Sequence, residues 1–141
     1  IRSSLALMMV VGGLVVFFSA ALDLLLYIGI LRPAQEAIAW ALHAAGLPDS
    51  LASSFVKGAF EVTLGAQAAA QAALASGPAA LIDRLAAAAF VLSWAGLSVH
   101  AQVAGLMGRT GWRYGPFART RLLHGLVSVG IVYAAGPFLM S

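Results

Sequence analysis

The sequence predicts an all-α integral membrane protein: a helical bundle with one interrupted transmembrane helix and one short re-entrant or interfacial helical segment. Three observations carry that expectation. The 141 residues are 62% hydrophobic and only 9% charged, with a mean hydropathy of +0.95, whereas soluble domains average about a quarter charged residues. Apolar runs long enough to cross a hydrocarbon core about 30 Å thick are separated by Pro, Gly and Arg clusters. One such run, Phe90 to Leu106, carries Ser93, Gly96, Ser98, His100, Gln102 and Gly105, an unusual polar load for a lipid-embedded helix. The net charge of +3 comes from arginines beside apolar spans, a topological pattern that argues against nucleic acid as a partner. There is no cysteine, so disulfides, thiolate metal sites and cysteine nucleophiles are excluded. The chain begins at Ile1, which is expected of a processed or partial chain.

From the N-terminus, Ser3 to Leu31 is apolar except for Asp23 and is long enough to span with tilt. Gly12-Gly13 offers a close helix crossing. Asp23 either faces a cavity or partner, or is solvated near the interface. Arg32-Pro33 stops the span, and Pro33 suits the first turn of a short helix, Ala34 to Ala45. That helix is too short to cross, and Trp40 and His43 suit an interfacial position. Gly46 to Ser50 is turn chemistry.

Leu51 to Ala75 carries Lys57, Glu61, Thr63, Gln67 and Gln71. On a continuous helix Lys57, Glu61, Gly65, Gln67 and Gln71 would share an arc of about 160°, a polar wall. Lys57 and Glu61 are then spaced to pair, although the apolar neighbours of Glu61 place it deeper than a surface ion pair. The segment either crosses fully or forms a re-entrant hairpin. Ser76-Gly-Pro78 makes the next turn, and Asp83-Arg84 marks an interface.

On a continuous helix Ser93, Gly96 and His100 lie within about 60° of one another, opposite Ser98, Gln102 and Gly105. Opening of the helix around Ser93 to Ser98 turns both sets toward one polar pocket; the alternative is a continuous helix whose Ser, Gly and Gln serve as packing contacts. Residues 109–121 carry four arginines with Trp112, Tyr114 and Phe117 and read as a cytoplasmic loop with an aromatic belt. Leu122 to Met140 is the last span.

The site expected from these residues is Glu61 against Ser93, Ser98, His100 and Gln102, binding a small polar solute. Catalytic and metal roles are not expected: His43, His100 and His124 lack ligand spacing, and no nucleophile elbow or zinc-protease motif is present. No cofactor is called for beyond a coupling sodium ion or proton.

Gly58-Ala-Phe-Glu-Val-Thr-Leu-Gly65, followed by Leu92-Ser-Trp-Ala-Gly-Leu-Ser-Val-His-Ala-Gln-Val103 and later by Arg121-Leu-Leu-His124, resembles the nucleoside-recognition or Gate domain of bacterial membrane proteins. The likeness is closer to sporulation integral membrane proteins of the YlbJ type. It covers most of residues 50 to 130. More distantly, the broken stretch looks like the interrupted helix of concentrative nucleoside transporters, where serines and a hairpin carboxylate bind substrate. Glu61, Ser93 and Ser98 stand in those places, while Ala95 or Gly96 stands where that pattern has asparagine. The resemblance implies a transport protein or half-transporter for a nucleoside-like solute or a small carboxylate such as dipicolinate, in the bacterial cytoplasmic membrane. It also implies that residues 1–141 form one Gate-like unit, paired with a second unit of opposite orientation or with another copy. The alternative is a non-transporting structural or assembly module of the sporulation type.

Overall fold

The computed structural model describes residues 2–72, 77–108, 110–111 and 113–139. The turn expected at Ser76, the belt residue Trp112 and Arg109 lie outside the described residues. Among the described residues seven helices follow in order: α1 Arg2–Tyr27, α2 Arg32–Ala44, α3 Ala52–Phe60, α4 Val62–Gln71, α5 Gly77–Trp94, α6 Gly96–Met107 and α7 Tyr114–Leu139. A 3-10 turn, Asp49–Leu51, leads into α3, and no strand occurs among the described residues. Among the described residues three segments are long and apolar enough to cross a membrane: residues 4–27, 81–107 and 114–138. The protein is an all-α membrane protein.

α1 stops at Tyr27, four residues short of the expected end, because Gly29 takes a φ of +79° and opens a turn. Asp23 is exposed one helical turn before that end, next to Leu22, which is completely buried. This position fits the interfacial alternative for Asp23. No described residue lies within 4 Å of a side chain built at Gly12 or Gly13, so the described residues do not make the close crossing expected there. α2 has Pro33 in its first turn as expected but starts at Arg32, two residues before the expected Ala34. His43 and Trp40 are exposed on it.

Leu51 to Ala75 is not one continuous helix. α3 and α4 have 9 and 10 residues, each about half the length needed to cross. They fold back on one another as a hairpin, with Glu61 at the tip. Gly58 and Gly65 bring the two backbones together, and the buried Ser54 hydroxyl donates to Gly65 O across the hairpin at 2.8 Å. The polar arc and the Lys57–Glu61 pair both required a helix continuing through Glu61. The extended backbone there, φ −141° and ψ 124°, replaces them.

The hairpin packs on α5, and α5 runs along α7. Arg84 anchors the second arm by donating from Nε to Ala69 O at 3.2 Å and from Nη2 to Ala70 O, two carbonyls at the C-terminal end of α4. Asp83 accepts from Tyr133 of α7 at 2.7 Å. The interface-marking pair thus ties three helices together at one end of the bundle. At the other end α7 begins at Tyr114 rather than Leu122. The arginine-rich stretch is therefore part loop and part helix, because Pro116 falls in the first turn, where its missing N–H costs nothing.

α5 gives way to α6 at Ala95, which has a left-handed φ of +76°, followed by Gly96 at +70°. Gly96 adopts this conformation freely, but alanine does not. Ala95→Gly should therefore raise stability by about 1 kcal/mol, read as a higher melting temperature in detergent. An unchanged or lower value would mean that the turn is not strained.

Candidate functional site

Glu61 is the N-cap of α4. Its Oε2 accepts from Thr63 N at 2.8 Å, from Leu64 N at 3.0 Å and from the Thr63 hydroxyl. A carboxylate suits this position because it meets unpaired amides at the positive end of a helix. The residue is 1% exposed, and all three bonds fall on one oxygen.

The second break lies directly against this tip. A side chain built on Gly96 would stand 3.0 Å from Phe60 O, 3.1 Å from Gly58 O and 3.2 Å from Glu61 N. Only a glycine lets α6 begin this close to the backbone of the hairpin. Four half-helix ends therefore meet: the C-termini of α3 and α5, and the N-termini of α4 and α6. Trp94 is the middle residue of the apolar 81–107 segment, so the junction sits where a crossing segment would be deepest.

The carbonyls at the end of α5 are capped by side chains from beyond the break. His100 Nε2 donates to Trp94 O at 2.9 Å, and Arg121 Nη1 donates to Ser93 O at 3.4 Å. With Nε2 donating, Nδ1 of a neutral imidazole accepts from the Tyr114 hydroxyl. The His100 ring also stacks on Trp94, at 4.3 Å between centroids, and meets Phe117 at 5.3 Å. Ser93 Oγ bonds Ser128 Oγ of α7 at 2.8 Å.

The five expected site residues are thus distributed around the break rather than gathered on one wall. Glu61 and Ser98 flank the contact with Gly96 from the hairpin and from α6. Ser93 and His100 bond toward α7. Gln102 lines a groove of about 590 Å³ between α1 and α6. His100 bonds neither serine, so a serine–histidine dyad is not formed. Ser98 is completely buried, and among the described residues its Oγ has no hydrogen-bond partner. Such an orphan is rare in a folded interior.

Thr63, Tyr114, Phe117, Arg121 and Ser128 also shape the site, although the sequence singled out none of them for it. Glutamate is not among the favoured N-cap residues, so no local signal pointed to Thr63 as its partner. The Ser93–Ser128 bond joins residues 35 apart and has no local signature.

These features define a polytopic helical membrane protein in which a half-length hairpin meets a helix junction at a polar centre. The Gate family, described as nucleoside recognition, matches residues 8–111, and the chain belongs to that family. It is 32% identical over 135 residues to the sporulation integral membrane protein YlbJ of Bacillus subtilis (strain 168). The match covers 96% of this chain and 30% of that relative, so the chain spans under a third of its length. No solved structure matches the chain.

Proposed function

We propose that this chain is a membrane transport module, one half of a transporter, that binds a small polar solute where the hairpin tip meets the start of α6. The observation that carries the reading is the buried Ser98 hydroxyl, which has no hydrogen-bond partner among the described residues, two residues beyond the glycine that packs close to the Glu61 backbone. The first amides of α6 and this hydroxyl favour an anionic or hydrogen-bond-accepting group. Glu61 supplies an acceptor for a solute donor, or a place for a coupling proton or sodium ion. A nucleoside-like solute and a small carboxylate such as dipicolinate both meet these terms. Ser93 and His100 hold the end of α5, and Gln102 faces the groove along α1.

With residues 52–71 as a re-entrant hairpin, the chain crosses the membrane three times, which puts Arg2 on the same side as the arginines of 109–121. The positive-inside rule makes that side cytoplasmic, in the bacterial cytoplasmic membrane. The second half of the transporter would be another Gate-like unit or another copy.

A second reading, a structural or assembly module, draws support from the internal bonds of Glu61, Ser93 and His100. Thermal stability of the detergent-purified protein separates the two. Nucleosides, nucleobases, dipicolinate and other small carboxylates are tested at several pH values, with and without sodium. A true ligand should stabilise by about 2.7 kcal/mol at a hundredfold excess over its dissociation constant. Silence across the panel from a folded protein favours the structural module.

A further inference from the structure

The geometry points to a second binding site, for an acidic phospholipid of the bilayer, at an open groove of about 730 Å³ lined by Met107 of α6, by Gly111 and Arg113, and by Pro116, Phe117 and Thr120 of α7. Its depth suits a lipid. Met107 is the last residue of α6 and of the apolar 81–107 segment, so the groove begins where that apolar run ends, the level at which lipid headgroups lie. Met107, Pro116 and Phe117 offer an apolar floor to the upper acyl chain, while Arg113 is exposed at the rim.

Charge decides which lipid. Four arginines fall within 109–121, and no Asp or Glu follows Asp83 anywhere in the sequence. Arg119 is exposed beside the groove-lining Thr120, whereas Arg121 lies over the Phe117 ring at 5.5 Å and bonds Ser93 O. The cationic end of the molecule thus lacks an acidic side chain from its own half of the chain, and a headgroup phosphate supplies the missing charge. The positive-inside rule explains an excess of arginine on one side of the membrane; it does not explain a groove with an apolar floor beside Arg113.

The groove also adjoins the residues around His100. Phe117 is both its floor and a wall of the His100 clasp, at 5.3 Å from that ring, and it carries Arg121. A lipid seated here braces the residues that cap the end of α5. This site stands whether or not the solute reading holds.

The test is native mass spectrometry of the full chain released from detergent containing equal phosphatidylglycerol and phosphatidylcholine, together with melting temperatures in each lipid. Wild type should retain phosphatidylglycerol about tenfold or more over phosphatidylcholine and melt higher in it. The double variant Arg113→Gln/Arg119→Gln, which alters only exposed side chains, should bring retention near parity. Arg32→Gln, which removes one positive charge on α2, should keep the wild-type preference. Equal retention of the two lipids by wild type would overturn the proposal, as would an unchanged preference in the double variant or an equal loss in Arg32→Gln. Stabilisation by glycerophosphoglycerol or inorganic phosphate matching that of the lipid would also overturn it, by making the site one for soluble anions.

Discussion

Glu61→Gln should leave the protein folded and remove solute-dependent stabilisation. The argument turns on what an amide keeps. Glutamine retains an acceptor oxygen for the amides of Thr63 and Leu64, which lie 2.8 and 3.0 Å from the native Oε2. Only the charge-assisted part of the cap is lost, a cost of about 1 kcal/mol. Glu61→Ala removes the cap altogether and leaves buried donors unpaired, at about 2–3 kcal/mol. A solute that donates to the carboxylate loses a charged partner in both variants. That interaction is worth up to about 3 kcal/mol, or roughly a hundredfold in affinity. The pair of variants therefore separates folding from binding. Glu61→Gln should melt near wild type and no longer respond to the ligand; Glu61→Ala should fail in both respects. A ligand response that survives in Glu61→Gln with wild-type affinity would remove Glu61 from the site.

Why Glu61 was legible as important but not as a cap follows from where the cause of its conformation lies. Its apolar neighbours Phe60, Val62 and Leu64 announced depth, and its residue type announced chemistry. Nothing within a helical turn announces a break, since the flanking residues are compatible with a helix. The extended backbone at Glu61 follows from capture of the α4 amides and from contact with Gly96, 35 residues later in the chain, a tertiary effect that overrides local preference. The junction near residue 95 was easier to anticipate, because Ser, Gly and Ser crowd one stretch with little helix preference. Its left-handed turn nevertheless starts one residue early, on Ala95, where propensity alone would not put it.

The expectation of a single pocket fails for a geometric reason. Residues after the break resume helical spacing, so His100 and Gln102 still point about 160° apart. Opening the helix reorients α6 as a body, but it cannot gather both faces of α6 onto one side. The aromatic clasp was hidden for another reason. Tyr114 and Phe117 read as interfacial belt residues of a loop, and only the earlier start of α7 brings them onto His100.

Gly65→Ala should be the most damaging single methyl group in the chain. A Cβ at Gly65 would lie 2.3 Å from Gly58 Cα, 2.6 Å from Gly58 N and 2.7 Å from Val91 Cγ1. Two of those atoms are backbone, so no rotamer change relieves the clash, and the arms of the hairpin must move apart. Separation loosens the 2.8 Å bond from Ser54 to Gly65 O and shifts Glu61 away from Gly96. The expected cost is about 3 kcal/mol or more, measured as a fall in melting temperature or in resistance to denaturing detergent. Gly12→Ala, where no atom lies within 4 Å, is the control, with a change expected within about 0.5 kcal/mol. Equal stability of the two variants would mean that the arms are not in backbone contact, and the hairpin tip would then lose its claim to a fixed position against α6. If Gly65→Ala proves destabilised but still folds at low temperature, it should bind solute poorly with Glu61 chemically intact. The contrast with Glu61→Gln, which keeps the geometry and loses the charge, distinguishes a site that needs a carboxylate from one that needs only the meeting of four helix ends.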